Sequence, residues 1–335
     1  MMQELFPDVE PTEADLVQRA LSQPRAAKYD RAIALLRHYE PFALKLDPRG
    51  AYLAFSGGKD SIVIKQLAIE AGIKFVPYYN QTTIDPPELV RFIRKHHADV
   101  QWNKPEMNML TRLSVKSKGP PTRLGRWCCE VYKEQGGNGM LKVLGVRVSE
   151  SVRRASMWKE FVPNRHHDDG GILAPIAYWT DADVWDFIKS RNLPYPELYD
   201  QGFTRLGCIG CPLAGKLRQD KEFARWPGYE RAWKRAIFRF WDNWHNVPLE
   251  NPYWETIDPK IGPHRRADGV CDLPVSPKDA KRLGLPVGAI MPAQFHYWRW
   301  FEDMLTAQGL WEWWRSGKAM AGESGCVFEE MMENR

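Results

Sequence analysis

The sequence predicts a doubly wound α/β domain with a mainly parallel sheet, preceded by a helical arm and followed by a tryptophan-rich, mainly helical region. Three observations predict it. Short apolar runs alternate with helical periodicity from about residue 51 onward, a glycine turn joins the first run to the first helix, and strand-like segments cease after Cys211.

In chain order, residues 12–46 space Leu16, Ala20, Leu21, Ile33, Leu35 and Leu36 among charges, with Pro24 breaking the stretch into two short helices. Residues 1–50 are this arm. AYLAF (51–55) is a short buried strand ending in SGGKDS, and SIVIKQLAIEAG reads as a helix ended by Gly72. KFVPYYN (74–80) is a second strand, PPELVRFIRKHH (86–97) a helix with proline in its first turn, and LKVLGVRV (141–148) a further strand. In YWTDADVWDFIKSRNLPY (178–195), Thr180 caps a helix, Asp181 and Asp183 suit its positive end, and Val184, Phe187 and Ile188 face inward. These residues, 51–212, form the α/β domain.

Residues 213–335 are the third region. In GYERAWKRAIFRFWDNW, helical projection places Tyr229, Trp233, Ile237, Phe240 and Trp244 on one face and Arg231, Arg235 and Arg239 opposite. Residues 246–294, with eight prolines, read as extended loop, and 293–315 as a last helix.

Composition narrows the function. Of 335 residues, 44% are hydrophobic and 27% charged, and no apolar run approaches membrane-spanning length. The acidic start MMQELFPDVEPTEAD lacks the pattern of a signal peptide, so a cytoplasmic protein is expected. In that reducing compartment six cysteines imply metal or redox chemistry, not a disulfide framework. The net charge of +5 is mild, but residues 112–165 hold twelve Lys or Arg against four Glu, a local +8 that favours anionic ligands.

Ser56-Gly57-Gly58-Lys59-Asp60-Ser61 carries the strongest chemical signal. Two glycines let successive N–H groups converge, and the helix start adds partial positive charge, so the turn is an anion cradle. Lys59 can neutralise charge, Ser56 and Ser61 supply hydroxyls, and Asp60 can hold Mg²⁺ or orient an amide. The spacing is not that of a Walker loop. Arg147, Arg153 and Arg154 follow a predicted strand, where guanidinium groups suit phosphate or sulfate oxygens. Arg123 and Arg126 are weaker candidates, and His96-His97 and His166-His167 read as surface residues.

Cys128-Cys129 and Cys208-x-x-Cys211 present two thiol pairs. Two sulfurs three positions apart can share one centre, whereas adjacent cysteines fit a single zinc poorly and a larger cluster better. A lone Cys-x-x-Cys would also suit a redox pair.

SGGKDS resembles the PP-loop of the ATP-pyrophosphatase-like superfamily. With TTIDPPE (82–88), RWCCEVYK (126–133), GVRVSESVRR (145–154), PIAYWTDADVW (175–185) and LPYPELYDQGFTRLGCIGCP (193–212), the chain is similar to the phosphoadenylyl-sulfate and adenylyl-sulfate reductases, and to the sulfurtransferase of DNA phosphorothioation. The likeness spans about 51–215. It implies an adenine nucleotide alpha hydrolase-like fold and an adenine nucleotide ligand: ATP with Mg²⁺, adenylyl sulfate or phosphoadenylyl sulfate. It also implies a [4Fe-4S] cluster on Cys128, Cys129, Cys208 and Cys211, with Lys133 at the family's Cys-Cys-x-x-x-Lys spacing as a catalytic cation. The Glu-Cys-Gly-Leu-His nucleophile motif of thiol-dependent reductases is absent. Cys326 is its nearest substitute, and Cys271 a more distant one.

The expected activity is therefore sulfur transfer or reduction on an adenylate. Reduction would need a thioredoxin-like or glutathione reductant. ATP-driven thiolation would need a sulfur donor and an acceptor, a nucleic acid or nucleotide. A disused enzyme core serving as a nucleic-acid-binding or partner-binding module is the reading from another class, resting on the eight bases and three acids of residues 213–240.

Overall fold

Among the described residues, six short strands form one sheet with the first strand in its interior, between the second and the fourth. The structure is a computed structural model and describes residues 13–116, 119–122, 125–150, 159–163, 170–245, 264–265, 271–274, 290–292 and 307–316. The described residues up to Pro105 together with those of Tyr132–Gly207 make one compact unit, and the described residues of Glu106–Val131 and from Cys208 onward make a second.

The first unit opens with helices α1 (Glu13–Leu21) and α2 (Arg25–Leu46), separated at Pro24 as expected, although the second runs for 22 residues and contains Pro41. Strand β1 (Ala51–Ala54) then leads through the glycine turn into α3 (Lys59–Ala71). Gly72, at φ +70, ends α3 with its N–H on the carbonyls of Ala68 and Ile69, a left-handed cap that glycine adopts without strain. Because Ile62, Val63, Ile64, Leu67 and Ala68 are all buried, α3 is a core helix rather than an amphipathic surface one. Strand β2 (Phe75–Asn80), helix α4 (Pro87–His96) and strand β3 (Gln101–Asn103) complete one side of the sheet.

The chain next passes through α5 (Met109–Lys116) and α6 (Trp127–Tyr132) before β4 (Lys142–Val143) pairs parallel with the other side of β1, Leu53 opposite Val143. The predicted strand 141–148 is thus only two residues long. Beyond it Leu144 donates to the Leu173 carbonyl, and the backbone turns into a 3-10 helix at Val148–Glu150, so the arginine-bearing half is loop. Strands β5 (Phe161–Pro163) and β6 (Gly171–Leu173) pair antiparallel, while every other pairing in this sheet is parallel.

Helix α7 (Asp181–Ser190) begins with a reciprocal cap. The Thr180 hydroxyl accepts from the Asp183 amide at 3.2 Å, and the Asp183 carboxylate accepts from the Thr180 amide at 2.8 Å. Lys28 of α2 reaches the same carboxylate at 2.7 Å. Burial raises the Asp183 pKa, but the bonds from Lys28 and Thr180 outweigh it and leave the carboxyl below its ordinary range. Val184, Phe187 and Ile188 join Leu53, Val143 and Leu173 in the core.

In the second unit α8 (Lys216–Arg225) and α9 (Pro227–His245) follow a short 3-10 turn, and α9 packs along α5. Trp233, Ile237 and Phe240 are buried while Arg231, Arg235 and Arg239 are exposed, as the helical projection requires. Where no further strand was expected, β7 (His264–Arg265), β8 (Cys271–Pro274) and β9 (Ile290–Pro292) form a small antiparallel sheet. Strands of two to four residues are too short to display a period. The described part of the last helix is α10 (Ala307–Ser316), whose Trp314 stacks on Trp233 with centroids 4.6 Å apart. Among the described residues no helix is long and apolar enough to cross a membrane.

Candidate active site

From β1 the chain builds outward through β2 and β3, then returns to the opposite side of β1 as β4. That reversal is a switch point in the sheet, and open parallel sheets bind ligands at the carboxyl ends of the strands beside such a point, here β1 and β4. The glycine turn follows β1, and the Arg147 loop follows β4.

Gly57 has φ +74, and a Cβ there would come within 2.7 Å of Ile93 and 2.9 Å of Leu89. Neither the conformation nor the space admits a side chain. The turn is held internally: Ser61 donates to the Gly58 carbonyl at 2.8 Å and the Ser56 hydroxyl to that of Ser61 at 3.3 Å. Two amides at the start of α3 point to hydroxyls, Gly58 to Ser56 at 3.4 Å and Lys59 to Tyr199 at 2.9 Å. Burial pushes the Tyr199 pKa up, with the charges of Asp60 and Asp181 acting in the same direction. Tyr199 therefore remains a neutral phenol that can donate to an anion while accepting from the helix.

Lys59 and Arg147 are each 4% exposed. Arg147 Nε reaches Asp60 at 2.7 Å, and its Nη2 reaches Asp181 Oδ1 at 3.0 Å. Lys59 Nζ lies 3.3 Å from the same Asp181 oxygen, 3.6 Å from Asp60 and 3.3 Å from the Thr204 carbonyl. One carboxylate oxygen of a largely exposed residue thus bridges two buried cations. Gly145 permits the close approach of the two loops, since a Cβ would sit 3.1 Å from the Asp60 carbonyl carbon and oxygen.

In the second unit, Cys128 and Cys129 lie on α6, and Cys208 and Cys211 flank a turn closed by the Cys211 amide on the Cys208 carbonyl at 3.3 Å. None is in a disulfide. The Cys128 pKa is raised by its hydrogen bond with Cys129, by burial, and by the charges of Cys129, Cys208 and Cys211, so all four thiols share one electrostatic environment. Yet no three His, Cys, Asp or Glu side chains among the described residues lie close enough to share a single metal ion.

Comparison with known proteins identifies the α/β segment. Residues 50–214 match the phosphoadenosine phosphosulfate reductase domain. That segment belongs to this family. The chain is 29% identical over 219 residues to an uncharacterized protein of Methanocaldococcus jannaschii, covering 59% of this chain and 41% of that protein. It is 26% identical over 189 residues to the adenosine 5'-phosphosulfate reductase of Staphylococcus haemolyticus, covering 52% and 76%. The chain spans about half the length of the two Methanocaldococcus relatives, 41% and 52%. A phosphoadenylyl-sulfate reductase of Candida auris in complex with phosphate overlaps 52% of this chain and 87% of its own at 16% identity and a TM-score of 0.40.

Within this reductase-family domain, the structure brings Lys59, Asp60 and Arg147 together, with Asp60 paired to Arg147. Arg153, Arg154, Arg123, His166, His167 and Cys326 lie outside the described residues, as does the side chain of Cys271. Lys133 is exposed, and its carbonyl accepts from Asn80 at 2.8 Å. His97 corrects the surface reading. It is buried against Phe55 and Phe92, with Lys65 Nζ 3.2 Å from Nδ1, and Lys65 also meets Asp99 at 2.6 Å. Burial, then Lys65, lowers its pKa to about 4. Asp181 and Tyr199 are the members of the site that sequence reasoning missed. Asp181 was assigned only to the helix dipole, and Tyr199 had no signal beyond lying in a motif block.

Proposed function

We propose that the chain is an enzyme that binds an adenine nucleotide at the glycine turn and carries out sulfur transfer or reduction on it, using a [4Fe-4S] cluster held by Cys128, Cys129, Cys208 and Cys211. The carrying observation is the pair of buried cations, Lys59 and Arg147, meeting one exposed carboxylate oxygen at the switch point. A phosphate oxygen has the charge and size to take that position. Tyr199, while accepting from the Lys59 amide, then donates to the phosphate, and the Gly58 amide can exchange its 3.4 Å bond to Ser56 for one to a phosphate oxygen. When the nucleotide is ATP, Mg²⁺ enters with its phosphates.

The four thiols fit the cluster in donor chemistry and in number, and none is tied up in a disulfide. Such a cluster, when bound, neutralises thiolates that otherwise repel one another and supplies redox-capable iron beside sulfide. Lys133 is the proposed cation balancing that negative charge. Family membership and similarity to adenosine 5'-phosphosulfate reductases support this chemistry.

The test is anaerobic incubation with ATP, adenylyl sulfate and phosphoadenylyl sulfate in turn. Sulfite release that needs thioredoxin or glutathione, and is lost in Cys326→Ala, identifies a reductase. AMP and pyrophosphate formed from ATP only with an acceptor and sulfur donor identify a sulfurtransferase. Absence of both activities and of nucleotide binding refutes the proposal. The exposed stripe Arg231, Arg235 and Arg239 favours a nucleic acid as acceptor, which salt-sensitive binding of DNA or RNA would support.

A further inference from the structure

Two stacked indoles in the second unit each spend their polar atom on a cysteine-bearing segment. Trp233 Nε1 donates to the Ile209 carbonyl at 3.0 Å, inside the Cys208–Cys211 turn. Trp314 Nε1 donates to the Pro121 carbonyl at 2.9 Å, seven residues before Cys128. The rings lie 4.6 Å apart at 28°, and both are 0% exposed. Buried indole N–H groups need acceptors, and here each has a main-chain carbonyl.

The turn itself is gripped further. Gly210 donates to Glu222 at 2.8 Å, and Gln219 donates to the Gly210 carbonyl at 3.3 Å, both side chains being at most 2% exposed. Gly210 has φ +76, and a Cβ would fall 2.7 Å from both Phe223 and Trp233. Arg315 of α10 reaches Gln219 at 3.3 Å and also bonds Asp220 and Glu230, tying that helix to the same cradle.

We infer that the stacked pair Trp233 and Trp314 is a staple that sets the spacing of the two cysteine pairs, making both tryptophans positioning residues for the metal cluster. The tryptophan-rich region is then the frame of the thiol site. Its helices supply the indole donors, and the stacking fixes one donor relative to the other. A side chain that lost only the N–H would keep the stack and free the carbonyl it holds.

This inference rests on the cluster reading, and two measurements separate them. Trp233→Phe and Trp314→Phe remove the donors while keeping an aromatic ring, and Trp311→Phe, also buried beside Trp314, is the packing control. In the metal-free full chain, alkylation of the four cysteines is expected to accelerate several-fold in the first two variants, with circular dichroism confirming the fold, and to stay at the wild-type rate in the control. After anaerobic reconstitution, the first two should retain half or less of the wild-type iron, with an altered electron paramagnetic resonance signal. Wild-type alkylation rates in folded Trp233→Phe and Trp314→Phe would overturn the staple. Equal acceleration in the control would also overturn it, by reducing the effect to lost packing. A wild-type chain that takes up no iron would instead sink the cluster reading, while the alkylation rates still decide the staple.

Discussion

The two proposed sites are built by opposite means. The anion site in the first unit is made of charge. Lys59, Asp60, Arg147 and Asp181 converge from a turn, a loop and a helix start, and the sheet's change of direction puts them in one place. The thiol site in the second unit is made of packing, with a glycine that admits no Cβ, two stacked indoles and buried Glu222 and Gln219 around four weakly polar sulfurs. An anion must arrive and leave, so its site keeps partners that can be exchanged. A resident cluster must stay, so its ligands are fixed by groups that have nowhere else to go.

That contrast breaks most visibly at Arg147. Arg147→Ala removes a buried guanidinium and leaves the half-buried Asp60 without its closest partner, and should lower stability by about 3 kcal/mol. Denaturant unfolding measures the loss, and Arg147→Lys should restore part of it. Gly210→Ala attacks the other site through sterics. With φ +76 and a Cβ only 2.7 Å from Phe223 and Trp233, it should lower stability by about 3 kcal/mol, insensitive to salt.

The third effect is a pH dependence centred on His97. Its folded pKa of about 4 lies below the ordinary imidazole value of about 6.5, so the unfolded chain takes up the proton first as pH falls. Stability contributed by neutral His97 should be complete above about pH 7. It should decline between about 6.5 and 4 and amount to about 3 kcal/mol in all. Lys65, Asp99 and His96 are the charged or titratable groups around it, and Asp99 acts in the opposite direction. Denaturation curves of His97→Phe across this range should be flatter, and an unchanged slope would contradict the assignment.

Asp181→Asn sharpens the comparison rather than breaking it. Asp181 competes with an arriving anion for Lys59 and Arg147, so its neutral amide should tighten nucleotide binding about tenfold, or about 1.4 kcal/mol by calorimetry. Weaker binding would show that Asp181 helps hold the ligand. Smallest is Thr180→Ala, which removes the cap of α7 and should lower the melting midpoint by the equivalent of about 1 kcal/mol.

Sequence made the charged site more legible than the packed one. SGGKDS announces itself because a turn that cradles an anion must use contiguous residues of restricted type, and the Thr180 cap is equally local. The four cysteines stand out in the sequence as proposed ligands, but their support does not. Trp233 and Gln219 differ from ordinary core and surface residues only in what they face, and Trp314 reaches Pro121 across 193 positions. Strand β4 was overextended because LKVLGVRV keeps its apolar pattern past the point where the backbone leaves the sheet. The strands β7–β9 were lost among prolines, and His97 was misjudged because a dipeptide does not reveal which imidazole turns inward.

The central claim is that a nucleotide phosphate takes the place held by the Asp181 oxygen between Lys59 and Arg147. Equilibrium binding of ATP, adenylyl sulfate and phosphoadenylyl sulfate to the anaerobically purified full chain tests it most directly. The account predicts about one nucleotide per chain for at least one of the three, tighter in Asp181→Asn and at least tenfold weaker in Arg147→Lys. A folded chain that binds none of them, or binds one equally well in both variants, would contradict it.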